Sequence, residues 1–178
     1  MRVRICLAAC ALCVAAMGVG RAVAAEGARI LLASEDTKFK NALVEKMQAA
    51  LKEAGFEVVT ADHADTKLKN QKAADYAAVF ITNSGVRSKV RPWVVEWVEG
   101  SGDDASRILL HTTQTKDWEV KLGVDVDAVT SASDTKSVEK LAADYVKRLT
   151  AMATPKEDAA ATDSDAAAEE GEAAPADE

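Results

Sequence analysis

Four short polar stretches interrupt the apolar runs of this chain, and each carries side chains that could bind or react. Ser34-Glu35-Asp36-Thr37-Lys38 joins two hydroxyls, two carboxylates and an ammonium. Asn83-Ser84-Gly85 sets an amide and a hydroxyl beside a glycine, which lets backbone approach a ligand closely. Thr112 and Thr113 place hydroxyls a few residues before Trp118, an indole able to stack on a flat ring. Ser131-Ala132-Ser133-Asp134 supplies further hydroxyls and a carboxylate. Groups of these types suit a small ligand or cofactor. The candidate binding residues are therefore Ser34, Thr37, Lys38, Asn83, Ser84, Gly85, Thr112, Thr113, Trp118 and Ser133.

Reactive chemistry is sparser. His63 and His111 are the only histidines. His111 ends an apolar run near the third stretch, where a histidine more often satisfies its neighbours than takes a proton; Asp117 could orient it as a base. Ser84 lacks the Gly-x-Ser-x-Gly elbow of a hydrolase nucleophile. The three cysteines, Cys6, Cys10 and Cys13, all lie at the start, so the rest of the chain has no thiol nucleophile, disulfide or cysteine metal site. No catalytic residue and no metal ligand set is assigned, and a protein without catalysis of its own is expected.

The start of the chain suggests an address. Met1-Arg2-Val3-Arg4 is basic, residues 5–19 are almost all apolar or small, and Ala22-Val23-Ala24 offers a small-x-small cleavage pattern. Residues 1–25 read as a secretory signal peptide, which predicts a periplasmic or extracellular protein. Leu7-Ala8-Ala9-Cys10 also resembles a lipoprotein cleavage box, although few residues precede the cysteine. Residues 26–151 hold 18 basic and 20 acidic side chains, whereas one lysine faces nine acids from Met152 onward. Neither part is basic, which argues against a nucleic-acid partner. Residues 153–178 contain no aromatic and no large aliphatic side chain, so they are expected to remain a disordered, solubilising tail.

Between leader and tail, short apolar runs alternate with helical stripes. Arg29-Ile30-Leu31-Leu32-Ala33 predicts a buried strand, and Phe39, Leu43, Met47 and Leu51 then recur at helical spacing before Gly55. Further strands are predicted at 56–61, 76–82, 107–111 and 124–130. Helices are expected at about 66–73, from about 88–92 with Trp93, Val94, Trp97 and Val98 inward, and across Val138, Leu141, Tyr145 and Leu149. Ser133 or Asp134 would cap the last of these. Strands alternating with helices mean an α/β domain over residues 26–152, with a mostly parallel sheet covered on both faces. Ligands of such sheets bind outside the carboxyl ends of the strands, where all four polar stretches fall.

Three features make this layout resemble the flavodoxin family: a strand ending Ala33-Ser34 before a helix, the Asp75-Tyr76 entry to an apolar strand ending Thr82-Asn83-Ser84-Gly85, and the five-strand length. The resemblance implies a three-layer α/β/α sandwich with strand order 2-1-3-4-5. It also implies FMN as cofactor, a redox partner protein, and Trp118 as a stacking ring. The chain departs from the family at the phosphate turn, where Ser34-Glu35-Asp36-Thr37-Lys38 has no glycine. Glu35 and Asp36 are expected to stand at the helix N-terminus in the place of the phosphate, with Lys38 a partial compensation.

Two smaller resemblances stand beside it. Asp127-Ala128-Val129-Thr130-Ser131-Ala132-Ser133 is similar to the acceptor motif of covalently flavinylated domains, Asp-x-x-Ser/Thr-Gly-Ala-Thr, with Ser133 at the acceptor position. Glu35 and Asp36 resemble the acidic pair of receiver domains, although Asn83 stands where their acceptor aspartate would be. The leading expectation is an exported small-ligand-binding or redox-accessory module. An FMN electron carrier and a structural, partner-binding protein are the alternatives.

Overall fold

A strand whose two faces are both covered has no solvent side, so its sequence loses the alternation of a half-exposed strand. The continuous apolar runs of this chain become such strands. The computed structural model describes residues 27–87, 89–115 and 119–154. The stretch expected to be a signal peptide, nearly all of the expected acidic tail, Ser88, Asp117 and Trp118 lie outside the described residues.

Five strands form one sheet: β1 (Arg29–Ser34), β2 (Glu57–Asp62), β3 (Ala78–Ser84), β4 (Ile108–Thr113) and β5 (Asp127–Ser131). They pair in parallel in the order β2-β1-β3-β4-β5, as expected. Helices α1 (Lys38–Glu53) and α4 (Val138–Ala153) cover one face, and α2 (Asp65–Leu68) and α3 (Pro92–Glu99) the other. Successive strand residues divide between the layers. Ile30, Leu32 and Phe80 meet Leu43, Met47, Tyr145 and Leu149, while Leu31, Val79 and Ile81 meet Leu68, Val94 and Val98. Among the described residues, no helix is long and apolar enough to cross a membrane.

Helix α1 starts at Thr37, whose extended backbone presents its hydroxyl to the Lys40 amide at 3.3 Å. It stops at Ala54-Gly55, with Gly55 at φ +94°, a left-handed conformation open to glycine at little cost. Thr37→Ala removes this cap and is expected to lower stability by about 1 kcal/mol. A urea midpoint unchanged from wild type would show that water replaces the hydroxyl without loss.

Three elements differ from expectation. The helix placed at about 66–73 is a single turn, α2, followed by a separate 3-10 turn at Ala73–Asp75, because the polar run between them has no apolar stripe to bury. The fifth strand is shorter than residues 124–130 and begins at Asp127. Val120, Leu122, Val124 and Val126 pack, partly buried, against the α3-side core outside the sheet ladder. No described residue between β4 and β5 is helical, so this extended segment covers the face that a helix would otherwise cover. An extended chain lying on a core alternates its side chains just as an edge strand does, which is why periodicity confused the two. Lastly, α4 is entered through a 3-10 turn at Thr135–Ser137: of the two caps expected, Asp134 caps this turn, its carboxylate accepting from the Lys136 amide at 3.0 Å, and Ser137 precedes α4 without a side-chain cap.

Candidate functional site

With strand order 2-1-3-4-5, the chain leaves β1 toward one face and β3 toward the other, and the carboxyl ends of these two strands flank the switch-point crevice at which such sheets bind ligands. Five side chains converge there. Glu35 comes from the turn after β1, Lys40 from the first turn of α1, His63 from just after β2, Ser84 from the end of β3, and Arg91 from the residue before α3. The Lys40 ammonium donates to the Glu35 carboxylate and, at 2.8 Å, to the Ser84 hydroxyl, which in turn donates to the same carboxylate. The other Glu35 oxygen accepts from Arg91 Nη2 at 3.2 Å and lies 3.4 Å from His63 Nε2.

Burial governs the electrostatics of this cluster. Lys40 is 1% exposed, and burial lowers its pKa against the opposing pull of Glu35. Burial on its own would raise the Glu35 pKa. Hydrogen bonds from Lys40 and Ser84, with the Lys40 charge, outweigh that and bring it down to about 2. His63 is lowered by burial, with Glu35 pulling the other way. Its ring meets Trp93 edge-on at 6.1 Å, and the Arg91 guanidinium lies over the same indole at 5.5 Å.

This arrangement corrects the expectation for the acidic pair. No acid occupies the first turn of α1. Glu35 turns inward, Asp36 accepts from the Asn41 side chain at 2.7 Å, and Thr37 caps the helix. An unpaired ammonium in the interior costs several kcal/mol, whereas one helix cap contributes about 1, so Lys40 wins the carboxylate. Lys38, the cation expected to compensate, is exposed. Lys40 was legible in principle, since it lies on one helical stripe with Leu43, Met47 and Leu51. His63 and Arg91 carried no comparable signal.

The other candidate residues serve the strand ends. Ser34 donates to the carbonyl of Glu35 at 2.9 Å. Asn83, fully buried, clasps β3 to β4 by donating to the His111 carbonyl at 3.2 Å and to the Thr112 hydroxyl at 3.0 Å. Thr113 donates back to the Asn83 carbonyl at 3.3 Å. Gly85 lies so close to β4 that a Cβ would stand 3.2 Å from the Thr112 methyl and 3.3 Å from the Thr113 carbonyl oxygen. Ser133 is exposed beyond β5, and Trp118 lies outside the described residues.

His111 is sealed inside the sheet. Its Nδ1 is 2.8 Å from the Thr82 hydroxyl and its Nε2 2.8 Å from that of Ser131. Phe80 stacks on the ring at 6.1 Å, and Tyr145 tilts against it at 5.2 Å. Burial, and secondarily the Lys40 charge, hold its pKa down to about 3. The neutral ring thus donates to one hydroxyl and accepts from the other. Trp93 and Trp97 are half-buried at the core margin rather than inside it, their indole N–H groups donating to the His63 and Gln71 carbonyls at 3.1 and 2.9 Å. With Lys72 and Asp104 they line a groove of about 660 Å³.

A flavin phosphate does not fit the turn after β1 as it stands. The Lys40 amide is taken by the Thr37 cap and no glycine relaxes the turn, so its backbone offers a phosphate no cradle. Among the described residues, no group of three His, Cys, Asp or Glu side chains could hold a metal ion. Compared with known protein families and with curated proteins, the chain matches none of them.

Proposed function

We propose that this chain is an exported, flavodoxin-like module that binds a small ligand or assists a redox partner and performs no catalysis of its own. The observation that carries this reading is the commitment of its reactive side chains to one another. Glu35 is held by Lys40, Ser84 and Arg91, and His111 is shared between Thr82 and Ser131. A catalytic centre needs a base or nucleophile within reach of its substrate. The export element of the reading rests on the leader at residues 1–25.

The competing reading is an FMN electron carrier, with flavin held at the strand rim or covalently at Ser133. The exposure of Ser133 favours the covalent form. An absorbance spectrum of protein purified from its native host, before and after denaturation, separates these readings. The binding module is expected to be colourless. Flavin released into the supernatant would establish a rim-bound carrier, and flavin retained on the chain would establish attachment. Unaided turnover of a substrate by pure protein would overturn the non-catalytic reading.

A further inference from the structure

The crevice between β1 and β3 holds more positive than negative charge. Lys40 and Arg91, two basic side chains, converge on the single carboxylate of Glu35. The neighbouring acids are engaged elsewhere: Asp36 accepts from Asn41, and Asp62 accepts from the Ala64 amide and pairs with Lys67. Among the described residues no second carboxylate pairs with either cation.

Unused donors point the same way. Arg91 Nε is buried and has no acceptor among the described residues, although Nη2 of the same guanidinium reaches Glu35. His63 is 3% exposed, and neither of its ring nitrogens makes a hydrogen bond among the described residues. Its Nε2 stands 3.4 Å from a Glu35 oxygen without a hydrogen bond, and a nearly fully buried imidazole left in that state costs free energy that a further partner would recover. An arginine Nε with an adjacent Nη forms a fork that fits two oxygens of a carboxylate or a phosphate.

We infer that this crevice is a binding site for a small oxyanion, a carboxylate or a phosphate ester, gripped by Arg91 and His63 beside the resident Glu35. The Arg91 side chain is 32% exposed and gives the ligand its way in. Trp93, in contact with both residues, supplies an apolar wall for the organic part of the ligand. Exposed Lys38, Arg87 and Lys89 on the same rim add an attractive field. The site differs from a phosphate loop in that side chains, not the backbone amides of a helix terminus, do the holding. The inference rests on the binding-module reading and names the chemistry of its ligand.

The test is a nuclear magnetic resonance titration of the full chain with inorganic phosphate, and separately with acetate, against sodium chloride at equal ionic strength. Saturable shifts are expected at the Arg91 Nε–H, the His63 ring and the Ser84 amide. A response to phosphate alone would identify a phosphate ester, and a response to acetate a carboxylate. Arg91→Met should weaken binding by about tenfold or more, and Arg91→Lys, which keeps the charge but loses the fork, by less. Glu35→Gln removes the resident anion and should tighten binding by about tenfold or more. A purely structural ion cluster would give no such gain. Shifts no larger than those from chloride, in both wild type and Glu35→Gln, would overturn the site. That result would leave the non-catalytic module standing, since turnover, not anion binding, is what refutes it.

Discussion

Glu35→Ala is expected to destabilise the protein by about 3–5 kcal/mol, the range for a buried ion pair that loses one partner. The substitution strands the Lys40 ammonium, 1% exposed, with only the Ser84 hydroxyl beside it and the Arg91 charge nearby. Lys40 can escape part of the cost by releasing its proton, a route that burial already favours. The reverse substitution should cost less. In Lys40→Met the carboxylate keeps Arg91 at 3.2 Å, and its side chain is 17% exposed and so retains some water. A loss of about 1–3 kcal/mol is expected there. The double variant Glu35→Leu with Lys40→Met should recover most of the stability, because well-packed apolar groups often replace a buried pair at little cost. Urea unfolding followed by circular dichroism at pH 7 ranks the three. Equal losses in the two single variants would sink the claim that the enclosed ammonium is the sensitive partner.

Acid should unfold this protein in two stages, and the first belongs to histidine. The His111 pKa is about 3 in the fold against an ordinary 6.5. Above pH 6.5 the ring is neutral in both states and adds no pH dependence. Below 6.5 the unfolded chain takes up a proton that the folded ring refuses, so stability falls with a slope approaching about 1.4 kcal/mol per pH unit until pH nears 3. His63, also lowered by burial, acts with the same sign. Glu35 joins below its ordinary 4.5, since its folded pKa of about 2 makes its contribution one that vanishes between those values. Urea midpoints from pH 8 to pH 4 should therefore decline well before the carboxylates titrate. His111→Gln should flatten the decline between pH 6.5 and 4.5 while lowering stability at pH 8. Parallel curves for wild type and variant would show that His111 is protonated in the folded state without penalty.

The same groups show why the cluster was not legible beforehand. Lys38 and Lys40 are two residues apart, and one is in solvent while the other is the most buried cation described. Type and spacing made Lys38 the natural choice because it adjoins the polar turn. Only the packing of α1 against the sheet decided that Lys40 faces inward. Glu35 and Arg91 are 56 positions apart, and His63 comes from a third segment, so no local pattern could bring them together. The helix cap met the same difficulty. Acids near a helix start satisfy amides unless a buried cation elsewhere competes for them, and that cation became visible only in three dimensions.

The sequence by itself determined the α/β class and the core stripes of α1 and α4. These depend on solvent contrast repeated along neighbouring residues, and the periods of strand and helix transmit that contrast directly to the chain. Tertiary structure alone decided that Val120, Leu122, Val124 and Val126 lie on the core as an extended cover instead of pairing in the sheet. It alone turned Glu35 away from the helix terminus and assembled the crevice around it. Hydrogen-bond partners and the desolvation of a charge are set by whatever the fold brings alongside, at any separation in sequence, and periodicity holds no record of them.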